Sequence, residues 1–402
     1  MLPVIFILAS NSTYPALVYA DSKAGIAKPL SSAVKHGLDY LIEQQQDNGG
    51  WSQGTESANM GSSLDSIGKV ANVGDTCMAG LALIQAGSFP DKGEYSKNLA
   101  KAAEFVCGKV EKSDDSSLSV TDLQGTRIQM KLGPNIDTFL ASLFLTKVKG
   151  HMPNKPQQTR VAQALDKVIA KMEKNQGSDG RLASGGWAPV HAQALATKAL
   201  NLAKQGGTRV SDQALARAQT FAEHTYNGKS GAFATEGAAS VPLYAAGSTL
   251  SSLQDSINTG RLLAVDAKKT LALKGAPEKD REEAKSRLDR LESAERAQSN
   301  AIGAVTARLA DSRFVQGFGC NGGEEFLSYL DISETLKEND PKQWHEWDHK
   351  ITENLERIQN QDGSWMGQHC ITSKTFVTAA AILVLTVDRE TTTAADKIRR
   401  HA

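Results

Sequence analysis

Four polar side chains suited to acid–base chemistry recur at one position of a repeated sequence. Asp75 and Asp137 begin two closely matching segments, and His191 and Glu324 fall at or next to the equivalent position in two further copies. Carboxyl and imidazole groups that converge over an apolar floor are the usual pattern of an active or binding site. We therefore expect these four residues at one mouth of a repeat protein. Capping of helix starts by the acidic residues is the alternative interpretation.

The segments that follow these residues predict buried helices. They are apolar on nearly every side and rich in Ala, Gly, Ser and Thr, which is typical of helices packed on all faces. Between them lie helices with a single apolar stripe, such as Trp344, Trp347 and Ile351. We predict the buried helices near 74–87, 135–148, 188–204, 240–256, 323–337 and 372–387, and the amphipathic helices near 30–46, 96–112, 157–176, 211–226, 279–310 and 341–359.

Buried and amphipathic helices thus alternate six times, and this alternation predicts the fold class. An inner ring of buried helices covered by an outer ring of amphipathic helices satisfies both patterns, which is an all-α (α/α)6 toroid. We expect residues 21–402 to form a single domain of this kind. The densely charged stretch at about 267–297, interrupted by Gly275-Ala276-Pro277, predicts a charged helical insertion, either a hairpin or an extended outer helix with a solvated face.

A second repeated element lies in the connections between hairpins. Residues 45–51 and 359–365 share the form Gln-x-x-x-Gly-x-Trp, and looser copies begin at Gln176 and Asn227. This element and the six-hairpin layout resemble the prenyltransferase and squalene-cyclase repeat superfamily, over nearly all of residues 30–390. The resemblance implies an (α/α)6 toroid, but it leaves the activity open because one fold serves many functions. The Asp-x-Asp-Asp acid motif of the cyclases has no counterpart in this sequence.

The same resemblance implies a candidate zinc site, because protein prenyltransferases hold the metal with an Asp-x-Cys pair and a histidine. Asp75 and Cys77 have that spacing, and either His191 or His369 would supply the imidazole. Carboxylate, thiolate and imidazole are proper zinc ligands. The competing interpretation pairs Cys77 with Cys107 in a disulfide, which would remove the thiolate from the metal.

The cysteines predict two disulfides. Cys77 and Cys107 are equidistant from a hairpin turn near residue 92, so we expect them to face each other. Cys320 and Cys370 both precede inner helices of adjacent repeats. We favour these two pairings over the zinc site, since disulfides are typical of exported proteins.

Export is predicted from the first twenty residues. An apolar run at 2–9 is followed by Val18-Tyr19-Ala20, the small-residue pattern of a signal-peptidase site. We therefore expect a signal peptide at 1–20 and a secreted or periplasmic protein, with no transmembrane segment after the signal. Lys plus Arg and Asp plus Glu number 45 each. This balance gives no basic surface for nucleic acid, which is not expected as a partner.

Two functions remain open at this point. In the first, the protein is a binding or scaffold toroid that uses the inner-helix rim, with an unknown protein, a small molecule or a polysaccharide as its ligand. In the second, it is an enzyme with its site at the mouth of the toroid. That enzyme would be either prenyltransferase- or cyclase-like or polysaccharide-acting, with zinc as the candidate cofactor. We favour the first, because the sequence shows no complete catalytic set.

Overall fold

The computed structural model describes residues 29–60 and 66–389, and this part of the chain is predominantly helical. A two-stranded antiparallel ribbon, Tyr226–Asn227 with Ala232–Phe233, is the sheet structure within it, and two 3-10 turns lie at Ala58–Met60 and Val387–Arg389. The helices are α1 Ser32–Glu43, α2 Val73–Gln85, α3 Ser96–Lys112, α4 Arg127–Leu132, α5 Ile136–Val148, α6 Lys155–Asn175, α7 Pro189–Gln205, α8 Asp212–His224, α9 Pro242–Ala272, α10 Glu278–Thr306, α11 Ser312–Gln316, α12 Gly323–Asn339, α13 Pro341–Arg357 and α14 Lys374–Leu385.

Six of these helices form a closed inner ring. In ring order α2, α5, α7, α9, α12 and α14 each contact the next, and α14 returns to contact α2. The outer helices α1, α3, α6, α8, α10 and α13 each pack on this ring. The predicted (α/α)6 toroid is therefore confirmed, and each of the twelve predicted helices corresponds to one of these elements.

Small side chains allow the inner helices to approach closely. Gly80 of α2 faces the ring of Phe144 in α5, and a Cβ atom on this glycine would come within 2.5 Å of that ring. In α5 the polar residues Thr138 and Ser142 are fully buried beside the apolar ones. Such burial on every face explains why these helices lack an apolar stripe.

The two Gln-x-x-x-Gly-x-Trp connections each bind the next outer helix. The Gln45 side-chain amide donates to the carbonyls of Gly49 at 2.9 Å and of Asn98, in α3, at 3.0 Å. Gln359 donates to Gly363 and to Ala33, in α1, both at 2.8 Å. This second glutamine therefore closes the ring, because it bonds the last repeat to the first.

The glycine and the tryptophan of the element complete the connection. Gly363 has φ +81°, and a Cβ atom there would overlap the carbonyl of His36 in α1. The indole Nε1 of Trp365 donates to the Leu355 carbonyl at 2.8 Å, and the buried ring packs beside Gly37 of α1. Glycine is required because the backbone is left-handed and the next helix lies against it.

The charged stretch at 267–297 belongs to two ring helices rather than to a separate element. It forms the far part of α9, the turn after it and most of α10, which are in contact with one another. Its few buried side chains are alanines, including Ala267, Ala284 and Ala294. The charged side chains therefore lie mainly on the outer surface of a long hairpin that extends α9 and α10.

The predicted signal peptide at 1–20 lies outside the described residues. None of the described helices combines the length and the apolar character needed to cross a bilayer.

We predict that Gly363→Ala lowers the free energy of unfolding by about 2–4 kcal/mol. Alanine is strained in a left-handed backbone conformation, and its Cβ atom would also overlap α1. Gly275→Ala is the matched control, since Gly275 has φ +88° but open space around it. It should cost only about 1–2 kcal/mol. Urea unfolding followed by circular dichroism measures both, and equal losses in the two variants would contradict close packing of the connection on α1.

Candidate functional site

The four predicted rim residues lie at the starts of inner helices but do not form an open mouth. Asp75, Asp137, His191 and Glu324 are each at most 1% exposed. Asp137 accepts hydrogen bonds from the Gly74 backbone N–H at 2.9 Å and from the Gln129 side chain at 2.7 Å, so it joins α5 to α2. The predicted rim is therefore sealed, and its acidic residues bind neighbouring helix starts and loops.

Burial perturbs the protonation of these carboxyl groups. It raises the pKa of Asp75 to about 7 and that of Asp137 to about 6. It also raises the pKa of Glu324 well above its ordinary value, although the Ile371 backbone N–H donates to this carboxyl at 3.0 Å. Desolvation disfavours a carboxylate that has no cation beside it.

The structure does not assemble the predicted zinc site. Residues 29–60 and 66–389 contain no group of three or more His, Cys, Asp or Glu side chains that could hold a metal ion. Cys77 is fully buried in the apolar core, where burial raises the pKa of its thiol, and its ionisable neighbours are Asp137 and Cys107. His191 instead contacts Ser248 and Tyr244, so its imidazole belongs to another part of the ring.

The two predicted disulfides are also absent, since all four cysteines are free thiols. Cys77 and Cys107 are neighbours, as the hairpin spacing predicted, but both pack as buried thiols in the core. The Cys320 Sγ atom lies 3.1 Å from Glu325 Oε2, and Cys370 Sγ lies 3.1 Å from His369 Nδ1. These contacts are those of reduced sulfur.

A cavity of about 200 Å³ lies inside the ring, toward the C-terminal ends of the inner helices. Its floor is apolar, and its polar side chains come from four inner helices and the chain after α14. The apolar lining consists of Met78, Leu81, Ile84, Phe89, Leu140, Leu143, Leu195, Leu202, Leu327, Leu330 and Leu383, and the polar lining of Gln85, Lys147, His191, Lys198, Asp331, Glu334 and Arg389.

A cluster of ion-paired side chains, formed by Lys198, Glu334 and Asp255, lies beside this cavity. The Lys198 ammonium of α7 donates to Glu334 Oε2 at 2.8 Å and to Asp255 Oδ1, in α9, at 3.3 Å. Asp331 lies one turn before Glu334 on α12 and is 7% exposed. Burial raises its pKa to about 8, although nearby Lys198 acts in the opposite direction. Asp331 is therefore largely protonated at neutral pH.

His191 is the one predicted rim residue that lines the cavity. Its Nδ1 atom lies 3.4 Å from the Ser248 hydroxyl, whereas Nε2 is buried without a hydrogen-bond partner. Burial lowers the pKa of this imidazole to about 3, so the ring is neutral. A neutral imidazole has one donor and one acceptor nitrogen, so Nε2 can take part in one further hydrogen bond.

The sequence patterns did not predict Lys198, Asp331 and Glu334 as functional residues. One feature of the sequence could have indicated them, because each is a charged residue inside a helix that is otherwise predicted to be buried. Charged side chains are rarely buried unless they are paired. Their partners could not be identified, because α7, α9 and α12 meet only when the ring closes.

No protein-family model and no curated protein sequence matches the chain. Among solved structures, the chain is similar to an α-1,6-mannanase, GH76A of Salegentibacter sp. HEL1_6, with a TM-score of 0.52 and 10% sequence identity. The match covers 89% of this chain and 98% of the other. That structure is an inactive variant with two adjacent aspartates changed to asparagine, in complex with α-1,6-mannotriose. The shared feature is the (α/α)6 toroid fold.

We predict that Asp75→Asn flattens the dependence of stability on pH. The raised pKa means that the folded protein holds a proton that the unfolded chain releases above about pH 4. Stability is therefore lost as pH rises toward 7. Between pH 5 and pH 8 the variant should lose about 2–3 kcal/mol less than the unmodified protein.

Urea unfolding at both pH values measures this difference, with Asp122→Asn, at an exposed position, as the control. The loss of stability in the Asp75 variant is compared with the loss in the unmodified protein. Asp137 and Glu324 also have raised pKa values, so they make stability fall with rising pH in both proteins. Equal losses in the two proteins would show that Asp75 is ionised in the folded state.

Proposed function

We propose that the protein is an enzyme that acts on a carbohydrate, with its site at the central cavity. The observation that carries this proposal is the pairing of Asp331 with Glu334, one turn apart on α12. Burial keeps Asp331 protonated, whereas Glu334 is ion-paired with Lys198. Two carboxyl groups whose surroundings separate their proton affinities are the usual basis of acid–base catalysis.

Cleavage of a glycosidic bond needs such a pair. One carboxylic acid donates its proton to the leaving oxygen, and a carboxylate activates the water that attacks the anomeric carbon. In our proposal Asp331 is the acid and Glu334 the base, and the Lys198 ammonium positions Glu334. The step leaves the water proton on Glu334 and Asp331 ionised, and transfer of that proton to Asp331 through solvent restores the initial state.

The fold comparison supports a carbohydrate over a scaffold role. The mannanase shares the toroid and is inactive when two of its aspartates are asparagines. A cavity of about 200 Å³ would admit one end of a glycan rather than the middle of a chain. There the leucine side chains would pack against the C–H surface of a sugar ring, and His191 Nε2 would form a hydrogen bond with a sugar hydroxyl group.

A second candidate follows from the lining itself. Leucines dominate the cavity, and Phe89 is its aromatic residue apart from His191. This lining favours a small apolar ligand, as the resemblance to prenyltransferases and cyclases implies. The lining offers few aromatic faces to stabilise a carbocation. Binding of an apolar ligand or transfer of a prenyl group is therefore a better candidate function than cyclisation. For both candidates, export from the cytoplasm stays a prediction.

We predict that the protein releases reducing ends from α-1,6-mannan or α-1,6-mannotriose, and that Asp331→Asn and Glu334→Gln each reduce this rate about 100- to 10,000-fold. The rate should also fall above about pH 8, where Asp331 loses its proton. Glu346→Gln, at an exposed position of α13, is the control and should leave the rate unchanged. A folded protein without activity on a panel of α- and β-linked glycans would refute the carbohydrate proposal.

The second candidate is tested by ligand-induced stabilisation. Prenyl alcohols of increasing length, such as geraniol and farnesol, should raise the melting temperature if the apolar cavity binds them. Leu143→Trp should abolish the shift by filling the cavity, whereas Leu273→Trp, on a residue 61% exposed, should retain it. If the alcohol still raises the melting temperature of Leu143→Trp, it binds outside the cavity.

A further inference from the structure

We propose that Cys320 and Cys370 form a redox-active thiol pair, in which a small peroxide oxidises Cys370 and Cys320 then closes a disulfide. The two cysteines precede α12 and α14, whereas Asp331 and Glu334 lie in the middle of α12, more than two turns away from its start. The pair is therefore independent of the function proposed above.

Backbone contacts hold the two cysteine loops together. The Gln368 N–H donates to the Cys320 carbonyl at 2.8 Å, and the Gly323 N–H donates to the Ile371 carbonyl at 2.9 Å. These bonds join the segment that carries Cys320 to the segment that carries Cys370, so the two cysteines lie in adjacent loops. Both cysteines are free thiols in this arrangement.

The surroundings of the two sulfurs differ, and this difference assigns their roles. Cys370 Sγ lies 3.1 Å from His369 Nδ1, which donates to the sulfur in the tautomer that carries its proton on Nδ1. Donors favour a thiolate, which is the form that attacks a peroxide. Cys320 lies 3.1 Å from the Glu325 carboxylate, which favours a protonated thiol. Cys370 is therefore the attacking residue and Cys320 the resolving one.

The backbone beside the two sulfur atoms has an unusual conformation. Cys370 has φ +70° and Asn321, next to Cys320, has φ +48°. Side chains other than glycine rarely adopt this left-handed region, and such conformations persist mainly at functional sites. The hydrogen bonds between the loops supply the constraint that keeps both residues there.

Burial limits the oxidant to a small molecule. Cys370 is fully buried and Cys320 is 4% exposed. Above them lie the half-exposed Phe318 and the exposed His369, with ring centroids 5.6 Å apart. Hydrogen peroxide can pass such a cover during small movements of the side chains, whereas a bulky disulfide such as oxidised glutathione cannot.

The chemistry balances with peroxide as the oxidant. The Cys370 thiolate attacks one peroxide oxygen, the O–O bond breaks and hydroxide leaves, which gives a sulfenic acid. The Cys320 sulfur then attacks the Cys370 sulfur, the S–O bond breaks and water leaves with the Cys320 proton. The two thiols lose two electrons to the peroxide, and the loops before α12 and α14 become covalently joined.

The test uses the reduced, purified full chain treated with equimolar hydrogen peroxide. We expect the number of titratable thiols in denaturant to fall from four to two, with a Cys320–Cys370 link in non-reducing peptide mass spectrometry. In Cys320→Ser, dimedone should label Cys370, because the sulfenic acid has no resolving partner. In Cys370→Ser, three thiols should remain and dimedone should label none of them.

Cys77 and Cys107 provide the internal comparison, because they are also neighbours but burial raises the pKa of both thiols. Cys107→Ala should leave the peroxide reaction unchanged. A link between Cys77 and Cys107, label on Cys320 in Cys370→Ser, or four thiols remaining in the unmodified protein would each overturn the proposal. The peptide map of the unmodified protein decides the question even where a serine variant fails to fold.

Discussion

The hydrogen bonds of the glutamine side chains between hairpins are the interaction on which the toroid depends. Each glutamine amide donates both to the glycine carbonyl of its own loop and to a carbonyl in the first turn of the next outer helix. Gln176 repeats the arrangement with Gly180 and Ala214, although its connection lacks the tryptophan. Because the bond from Gln359 reaches Ala33, the same contact that spaces the hairpins also closes the ring.

Closure gives the two ends of the ring different properties. At the N-terminal ends of the inner helices, buried acids such as Asp137 bind backbone N–H groups and side-chain amides of adjoining segments, and this end is sealed. A negative charge is least costly near a helix start, yet complete burial still raises the pKa of each acid. At the C-terminal ends, longer charged side chains such as Lys198 and Glu334 leave a cavity between them. The concave surface therefore lies opposite the end that carries the repeated acids.

Helix α12 connects the two chemically distinct regions. Its first turn carries Glu324 and Glu325, which bind the loops of the cysteine pair, and its middle carries Asp331 and Glu334 at the cavity. Oxidation of the cysteines would fix the start of this helix to the start of α14 without contacting the cavity. A change at one region could reach the other only through α12 or the ring packing, since both regions lie in a rigid, close-packed interior.

The sequence by itself determined the helices, their burial and the order of the ring, because periodicity and small-residue content are local properties of the chain. It also placed Asp75, Asp137, His191 and Glu324 at equivalent helix starts, where the structure has them. Only the tertiary structure decided that this end is sealed, that Cys77 and Cys107 remain thiols, and that no zinc set assembles in the described residues. The grouping of Lys198 with Asp255 and Glu334 likewise required the closed ring. Three helices distant in sequence meet there, and their contact depends on crossing geometry that no single segment encodes.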